Sequence, residues 1–300
     1  MNDEKIFKSS NSSLKDVNED LVSFKDCPNK CIAGYYVDPY KHKKIRCKYC
    51  DEKRRQAVKE VIVNESEETI ADKLNLPASF IGTSCDADSI FPKFAIKDIK
   101  EDSLKAIKEV VVNFINKATI GELLTESAMF NFGKKVYEFN FIYPLMMNYY
   151  LSGRTVTPLI SPLDICRLRN EAEKYSFSTK GDSFSYYDLL DKDICVILID
   201  TGVKETGIDA VKGLMQLRAN RSKATIIVTN AWGSRILDMC SDGSERSLNL
   251  ATLYSVEYTE KFVETEKKRE ETFGKQNNGK DIVGMSTDAF NDLMRGRNTL

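Results

Sequence analysis

The chain has 300 residues, 42% of them hydrophobic, enough to build a substantial core, so a wholly disordered chain is excluded. Forty-four basic residues against 45 acidic ones give a formal charge of -1, which excludes a polycation built to coat nucleic acid and makes any such surface local. Eight cysteines with no apolar run in the opening MNDEKIFKSSNSSLKD, and no stretch long and apolar enough to span a membrane, point to a soluble, intracellular, cytoplasmic protein with reduced thiols.

In chain order, residues 1–24 are polar and lack apolar periodicity, as expected of a mobile arm. Residues 25–60 form a distinct small module holding four cysteines, four tyrosines and a dense set of cations. The polar, acidic stretch 61–76 reads as a linker, residues 77–258 as the hydrophobic body, and 259–300 as a charged tail, helical at first and loose over its last thirty residues. Within the body, Leu104, Ile107, Val110, Val111, Phe114 and Ile115 predict an amphipathic helix capped by Asp102 or Ser103. Ile194 to Ile199 and Ala224 to Thr229 are continuous apolar runs of strand length, with a helix between them carrying Ile208, Val211, Leu214 and Met215. The run from Arg154 to Ile160 precedes a further helix. This alternation predicts an α/β fold with a parallel sheet.

Cys27, Cys31, Cys47 and Cys50 have the spacing C-x3-C-x15-C-x2-C. Two close pairs joined by a short hairpin are what a tetrahedral metal site requires, and four thiolates leave no position for a reactive water, so the expectation is structural zinc. Unrelated thiols are the competing reading, and His42 in the intervening loop is a possible substitute ligand. Gly34 suits a tight turn after the first pair. Lys41 to Glu60 holds nine lysines and arginines against three acids. With Tyr35, Tyr36, Tyr40 and Tyr49 interleaved, this is equally a single-strand nucleic-acid surface or a solvated face that docks on protein. Cys85, Cys166, Cys195 and Cys240 are scattered, and Cys195 belongs to a buried strand.

A strand-like piece from Gly121 to Thr125 leads into SAMFNFGKK, an incomplete version of the phosphate loop G-x4-G-K-[ST]. Gly133 and Lys134 are in place, but Ala128 stands for the first glycine and Lys135 for the magnesium-binding hydroxyl. Asp200 ends one apolar strand, where a magnesium-binding carboxylate belongs, and Asn230 ends the next, where a polar side chain senses a terminal phosphate. Thr201 follows Asp200 where a second acid would orient water. Polar strand ends that simply face water are the alternative. Pro144 lies within the helix predicted after the loop and should kink or split it.

Taken in order, these segments resemble the DnaC/DnaI-type replicative helicase loaders of the AAA+ family, in a phage-like form. CPNKCIAGYY and IRCKYCDEKRRQAV resemble the cysteine-paired leader of that family, and LPASFIG and SLKAIKEVVVNFI resemble the approach to its ATPase domain. MMNYYLSGRTVTPLISPLDICRLRN is similar to the segment after the phosphate loop. DKDICVILIDTG is similar to its Walker B strand, KATIIVTNAW to its sensor strand, and SRILDMC to the box that carries an arginine finger, here Arg235. The resemblance implies an AAA+ P-loop domain after a zinc module. Gly133, Lys134 and Lys135 would face ATP and Mg2+, and Asp200, Asn230 and Arg235 would take the catalytic positions. It also implies a hexameric replicative helicase and single-stranded DNA as partners, with self-association possible. Ala128, Lys135 and Thr201 depart from the pattern and imply slow or absent ATP hydrolysis, since an ammonium at the hydroxyl position repels magnesium. The rival reading is a zinc-dependent nucleic-acid-binding regulator on an inactive ATPase-like scaffold. A third is an ATPase with an unorthodox site.

Overall fold

Continuous β-branched runs leave no face for solvent, so they form strands covered on both sides. In the computed structural model, Cys195–Ile199 (β6) and Thr225–Thr229 (β7) are such strands, buried at every residue. The structure describes residues 26–32, 34–37, 40, 44–77, 97–124, 126–132, 135–170, 175–176, 183–200, 203–230, 250–265 and 268, with backbone alone for 44, 135–139, 175–176 and 183.

Elements in chain order are β1 (Tyr35–Val37), β2 (Lys44–Arg46), α1 (Lys48–Ile62), α2 (Glu67–Lys73), α3 (Glu101–Ile120), β3 (Ala128–Asn131), α4 (Lys135–Leu151) and α5 (Pro162–Asn170). They are followed by β4 (Tyr175–Ser176), β5 (Ser183–Phe184), α6 (Tyr186–Asp191), β6, α7 (Glu205–Asn220), β7 and β8 (Thr252–Ser255). The central sheet has the order β6-β7-β3-β8, parallel throughout. Val156 and Ile160 make parallel bridges to Ile194 and Ile197, extending the sheet beyond β6. The chain is thus an α/β protein with a parallel sheet, preceded by a cysteine-bearing hairpin and helix.

The two faces of the sheet bury different helices. One core gathers α3 and α4 with Val58, Ile62, Ile70 and Leu74, and the other gathers α5, α6 and α7 around Met129, Ile197 and Ile227. Phe130 of β3 anchors the first core, with ring centroids 4.7 Å from Phe141, 5.1 Å from Phe114 and 5.2 Å from Tyr254. Buried Arg218 ties element ends together: it donates to the carbonyls of Leu189, Lys192 (3.0 Å), Asp193 (3.3 Å) and Ala224 (2.7 Å), and to Thr225 Oγ1 (3.1 Å). Four of those five bonds satisfy carbonyls at the end of α6 and just before β6 and β7.

Several expectations are corrected. No strand forms over 121–124. Gly121 instead terminates α3 in the left-handed conformation (φ 68°), and the strand is Ala128–Asn131. Helix α3 starts one residue before Asp102, its N-cap is Lys100, and Ser103 Oγ accepts from Glu257 N–H rather than capping the helix. Helix α4 runs unbroken through Pro144. The 61–76 stretch contains α2, whose Ile70 and Ala71 join the first core with Leu74. Of the tail, residues 260–265 and 268 are described as helix. The arm at 1–24 and the last thirty residues lie outside the described residues.

Candidate metal centre and sheet-edge site

The four cysteines converge. Their Sγ atoms all lie within 4.8 Å of one another, with separations of 3.5 Å for Cys27 to Cys47, 3.4 Å for Cys27 to Cys31 and 3.2 Å for Cys31 to Cys50. A disulfide would need about 2.05 Å. Thiolates about 2.3 Å from a tetrahedral zinc stand about 3.8 Å apart, so the set can close around one ion with small adjustments. Local structure explains the convergence. Lys30 (φ 45°) lets the first pair fold back with Lys30 N–H on Cys27 O at 3.2 Å, and Gly34 (φ 73°) turns the chain into the β1–β2 hairpin. Cys47 N–H reaches back to Gly34 O at 2.7 Å. Cys47 then caps α1 and Cys50 sits in its first turn, so the second pair is fixed by helix geometry.

Burial by itself raises the Cys47 thiol pKa. Hydrogen bonds from Asn29 Nδ2 (3.3 Å), the Cys50 backbone and the thiols of Cys27 and Cys31 outweigh it and bring the pKa down to about 6. Cys47 therefore favours the thiolate at neutral pH, the form that binds metal. His42 lies outside the described residues.

Helix α1 fastens this centre to the body through charges that no spacing rule reveals. Asp51 Oδ1 meets Arg154 Nη1 at 2.7 Å and Arg46 Nη2 at 2.7 Å. Asp193 has no exposed side-chain surface and faces Arg54 (2.9 Å), Arg46 (3.1 Å) and Lys223 (4.0 Å). Burial pushes the Asp193 carboxyl up, but Arg54, Arg46, Lys223 and Arg154 together hold it far below the usual carboxylate range. Arg55 donates to Ser152 O at 3.1 Å and Ile120 O at 2.7 Å. Two left-handed glycines admit it: a Cβ at Gly153 would overlap the Arg55 carbonyl, and one at Gly121 would overlap its guanidinium.

At the carboxyl edge, Asp200 and Asn230 end adjacent strands, and Asn230 Nδ2 donates to Asp200 Oδ1 at 3.1 Å. Among the described residues no hydrogen-bond partner reaches the buried Asn230 Oδ1. The two residues expected at neighbouring strand ends are therefore brought together. Gly133, Lys134 and Arg235 lie outside the described residues, and Lys135 is described by its backbone alone, as the first residue of α4. Ala128 to Asn131, the first four positions of the incomplete loop motif, lie in the sheet between β7 and β8. Backbone amides committed to a ladder cannot curl around a phosphate.

No family model matches the sequence, and no curated protein does. Among solved structures the chain is similar to DnaI, with a TM-score of 0.34 and 13% identity over 58% of this chain and 94% of that one. It is similar also to a candidate primosome component from Streptococcus pyogenes serotype M3, with a TM-score of 0.36 and 13% identity over 65% of this chain and 98% of that one. AMPPCP-bound DnaA from Aquifex aeolicus is similar with a TM-score of 0.34 and 12% identity over 69% of this chain and 64% of that one.

Proposed function

We propose that the chain is a DNA-replication adaptor of the DnaC/DnaI loader type, working in the cytoplasm. It binds a hexameric replicative helicase and helps load it onto single-stranded DNA, with ATP hydrolysis weak or absent. The observation that carries this reading is the union of a four-cysteine hairpin-and-helix unit with a parallel sheet in which Ala128 to Asn131, the first four positions of the incomplete phosphate loop, are committed to strand β3. A body of that kind keeps the scaffold of an ATPase while its ladder takes up four positions that would otherwise curl around a nucleotide, so its work is binding.

Cys27, Cys31, Cys47 and Cys50 would hold zinc, which when bound would supply a structural cross-link between the first turn of α1 and the knuckle before β1. The chain's own residues do the rest. Asp51, Arg54 and Arg55 carry that rigidity into the body, and the hairpin presents Ile32, Val37 and Tyr40, all exposed, as a contact face. Asp200 and Asn230 retain the strand-end pair of an ATPase, and Gly133, Lys134, Lys135 and Arg235 remain the residues to vary if ATP and Mg2+ bind at all.

The rival, a zinc-dependent nucleic-acid-binding regulator, relies on the local cationic excess. Three of those cations, Arg46, Arg54 and Arg55, face acids or carbonyls of the folded chain instead of solvent, which favours a protein-docking role for the unit. Co-purification with the cognate helicase tests the proposal. Strong, salt-sensitive DNA binding without helicase binding would favour the rival.

A further inference from the structure

Strand β8 ends the four-strand order, and among the described residues only one of its edges is used. Thr252 N–H donates to Ser127 O at 2.9 Å and Val256 N–H to Asn131 O at 3.0 Å. In a parallel ladder alternate residues face the partner, so Leu253 and Ser255 direct their N–H and C=O groups outward. Among the described residues no hydrogen bond reaches those outward groups, and both residues are exposed. Beyond them the edge closes, because Glu257 N–H donates to Ser103 Oγ at 2.8 Å and Lys100 N–H to Glu257 O at 2.9 Å. The open stretch accommodates about four residues of extended chain, roughly 13 Å.

Alongside this edge runs a groove of about 680 Å³. Ala106, Ile107 and Val110 of α3 form its apolar wall with Tyr254, and Glu101, Asp102 and Glu257 line one end. Lys100 pairs with Glu257 at 3.0 Å, which leaves the exposed carboxylates of Glu101 and Asp102 as uncompensated charge within the groove. Natural proteins blunt an open edge with lysine, proline or a covering loop, because unpaired N–H and C=O groups template another strand. The exposed residues of this strand are a threonine, a leucine and a serine.

We propose that this groove captures an extended, basic segment of a partner protein by strand addition to β8. Backbone groups of the incoming strand pair with Leu253 and Ser255, alternate apolar side chains rest on Ala106, Val110 and Tyr254, and a cation at the end of the strand, beside the first turn of α3, meets Glu101 and Asp102. The inference stands on the edge and the groove and does not depend on the helicase reading.

The test adds the capped hexapeptide Lys-Val-Lys-Val-Lys-Val to the full-length protein, with Glu-Val-Glu-Val-Glu-Val as control, and follows amide hydrogen exchange. The basic peptide should slow exchange at Leu253 and Ser255 by at least about tenfold, and the acidic peptide should not. Leu253→Pro removes an outward N–H while leaving the Thr252 and Val256 bonds to β3, and should abolish the effect. A double Glu101→Lys, Asp102→Lys variant should transfer the preference to the acidic peptide. The proposal is overturned by unchanged exchange at Leu253 and Ser255, or by equal protection from both peptides. Slow exchange already present in the free chain would instead assign the edge to the chain's own residues. Protection that grows with protein concentration alone would assign it to a second copy.

Discussion

Arg154 Nη1 lies 2.7 Å from Asp51 Oδ1, and this buried ion pair joins the helix that begins at the cysteine cluster to the segment that enters the sheet beside β6. Arg154 also donates through Nε to Gly121 O at 2.6 Å, so one guanidinium bridges α1, the end of α3 and its own turn. Arg154→Ala leaves Asp51 with fewer partners in a dry site and should destabilise the fold by about 3–5 kcal/mol, the range for breaking one side of a buried pair. Urea denaturation of the metal-loaded protein measures it, and a loss below about 1 kcal/mol would remove the anchoring role.

The same cluster sets a pH dependence with two limbs. Asp193 is held below its ordinary pKa, so its stabilisation is complete above about pH 4 and is withdrawn as pH falls further. Lys223 behaves oppositely: burial disfavours its charge, Asp193 restores part of it, and its pKa comes down to about 8. The unfolded chain binds more protons than the folded one between about pH 8 and 10.4, so stability should rise with alkalinity there. Thermal melts across that range should rise for the wild type and flatten for Lys223→Met. An unchanged slope in the variant would contradict the assignment.

Three glycines should separate by what a methyl group meets. Gly153 has φ 82° and faces the Arg55 backbone, which cannot move without shifting α1, so Gly153→Ala should cost more than about 2 kcal/mol. Gly121→Ala should cost less, because the opposing atoms belong to the Arg55 side chain. Gly213 lies in α7 with nothing within 4 Å of an added Cβ, so Gly213→Ala should stabilise by about 0.5–1 kcal/mol. Denaturation midpoints of the three variants check the order.

With Ala128 to Asn131 committed to the ladder between β7 and β8, millimolar ATP with magnesium should leave the melting temperature unchanged. A ligand present at 100 times its Kd would add about 2.7 kcal/mol, a shift easily read. Asp200→Ala should be equally silent toward ATP. Turnover that Asp200→Ala abolishes would restore the active-ATPase reading.

What the sequence made legible follows from which forces act locally. The clustering of the four cysteines is legible because their close-pair spacing brings thiols together, and β6 and β7 because a strand covered on both faces must be apolar throughout. Strand β3 was displaced by the attraction of a Gly-Lys pair: AMFN is four residues long, and its commitment to the sheet comes from Phe130 packing against three rings from α3, α4 and β8. Strand β8 escaped notice because TLYS is an exposed edge with no apolar alternation to betray it. Helix α2 read as linker because its core contribution is two residues, Ile70 and Ala71, among acids and lysine. The charge cluster was beyond reach, since Asp51, Arg154 and Asp193 meet only once the sheet is built.

The most direct test mixes the zinc-loaded protein with the cognate hexameric replicative helicase and weighs the product by size-exclusion chromatography with light scattering. The account predicts a stable complex for the wild type and its loss in the Cys47→Ser, Cys50→Ser double variant, whose zinc content should fall with it. A wild-type protein that carries zinc and forms no complex, or a double variant that binds the helicase as well as the wild type, would contradict it.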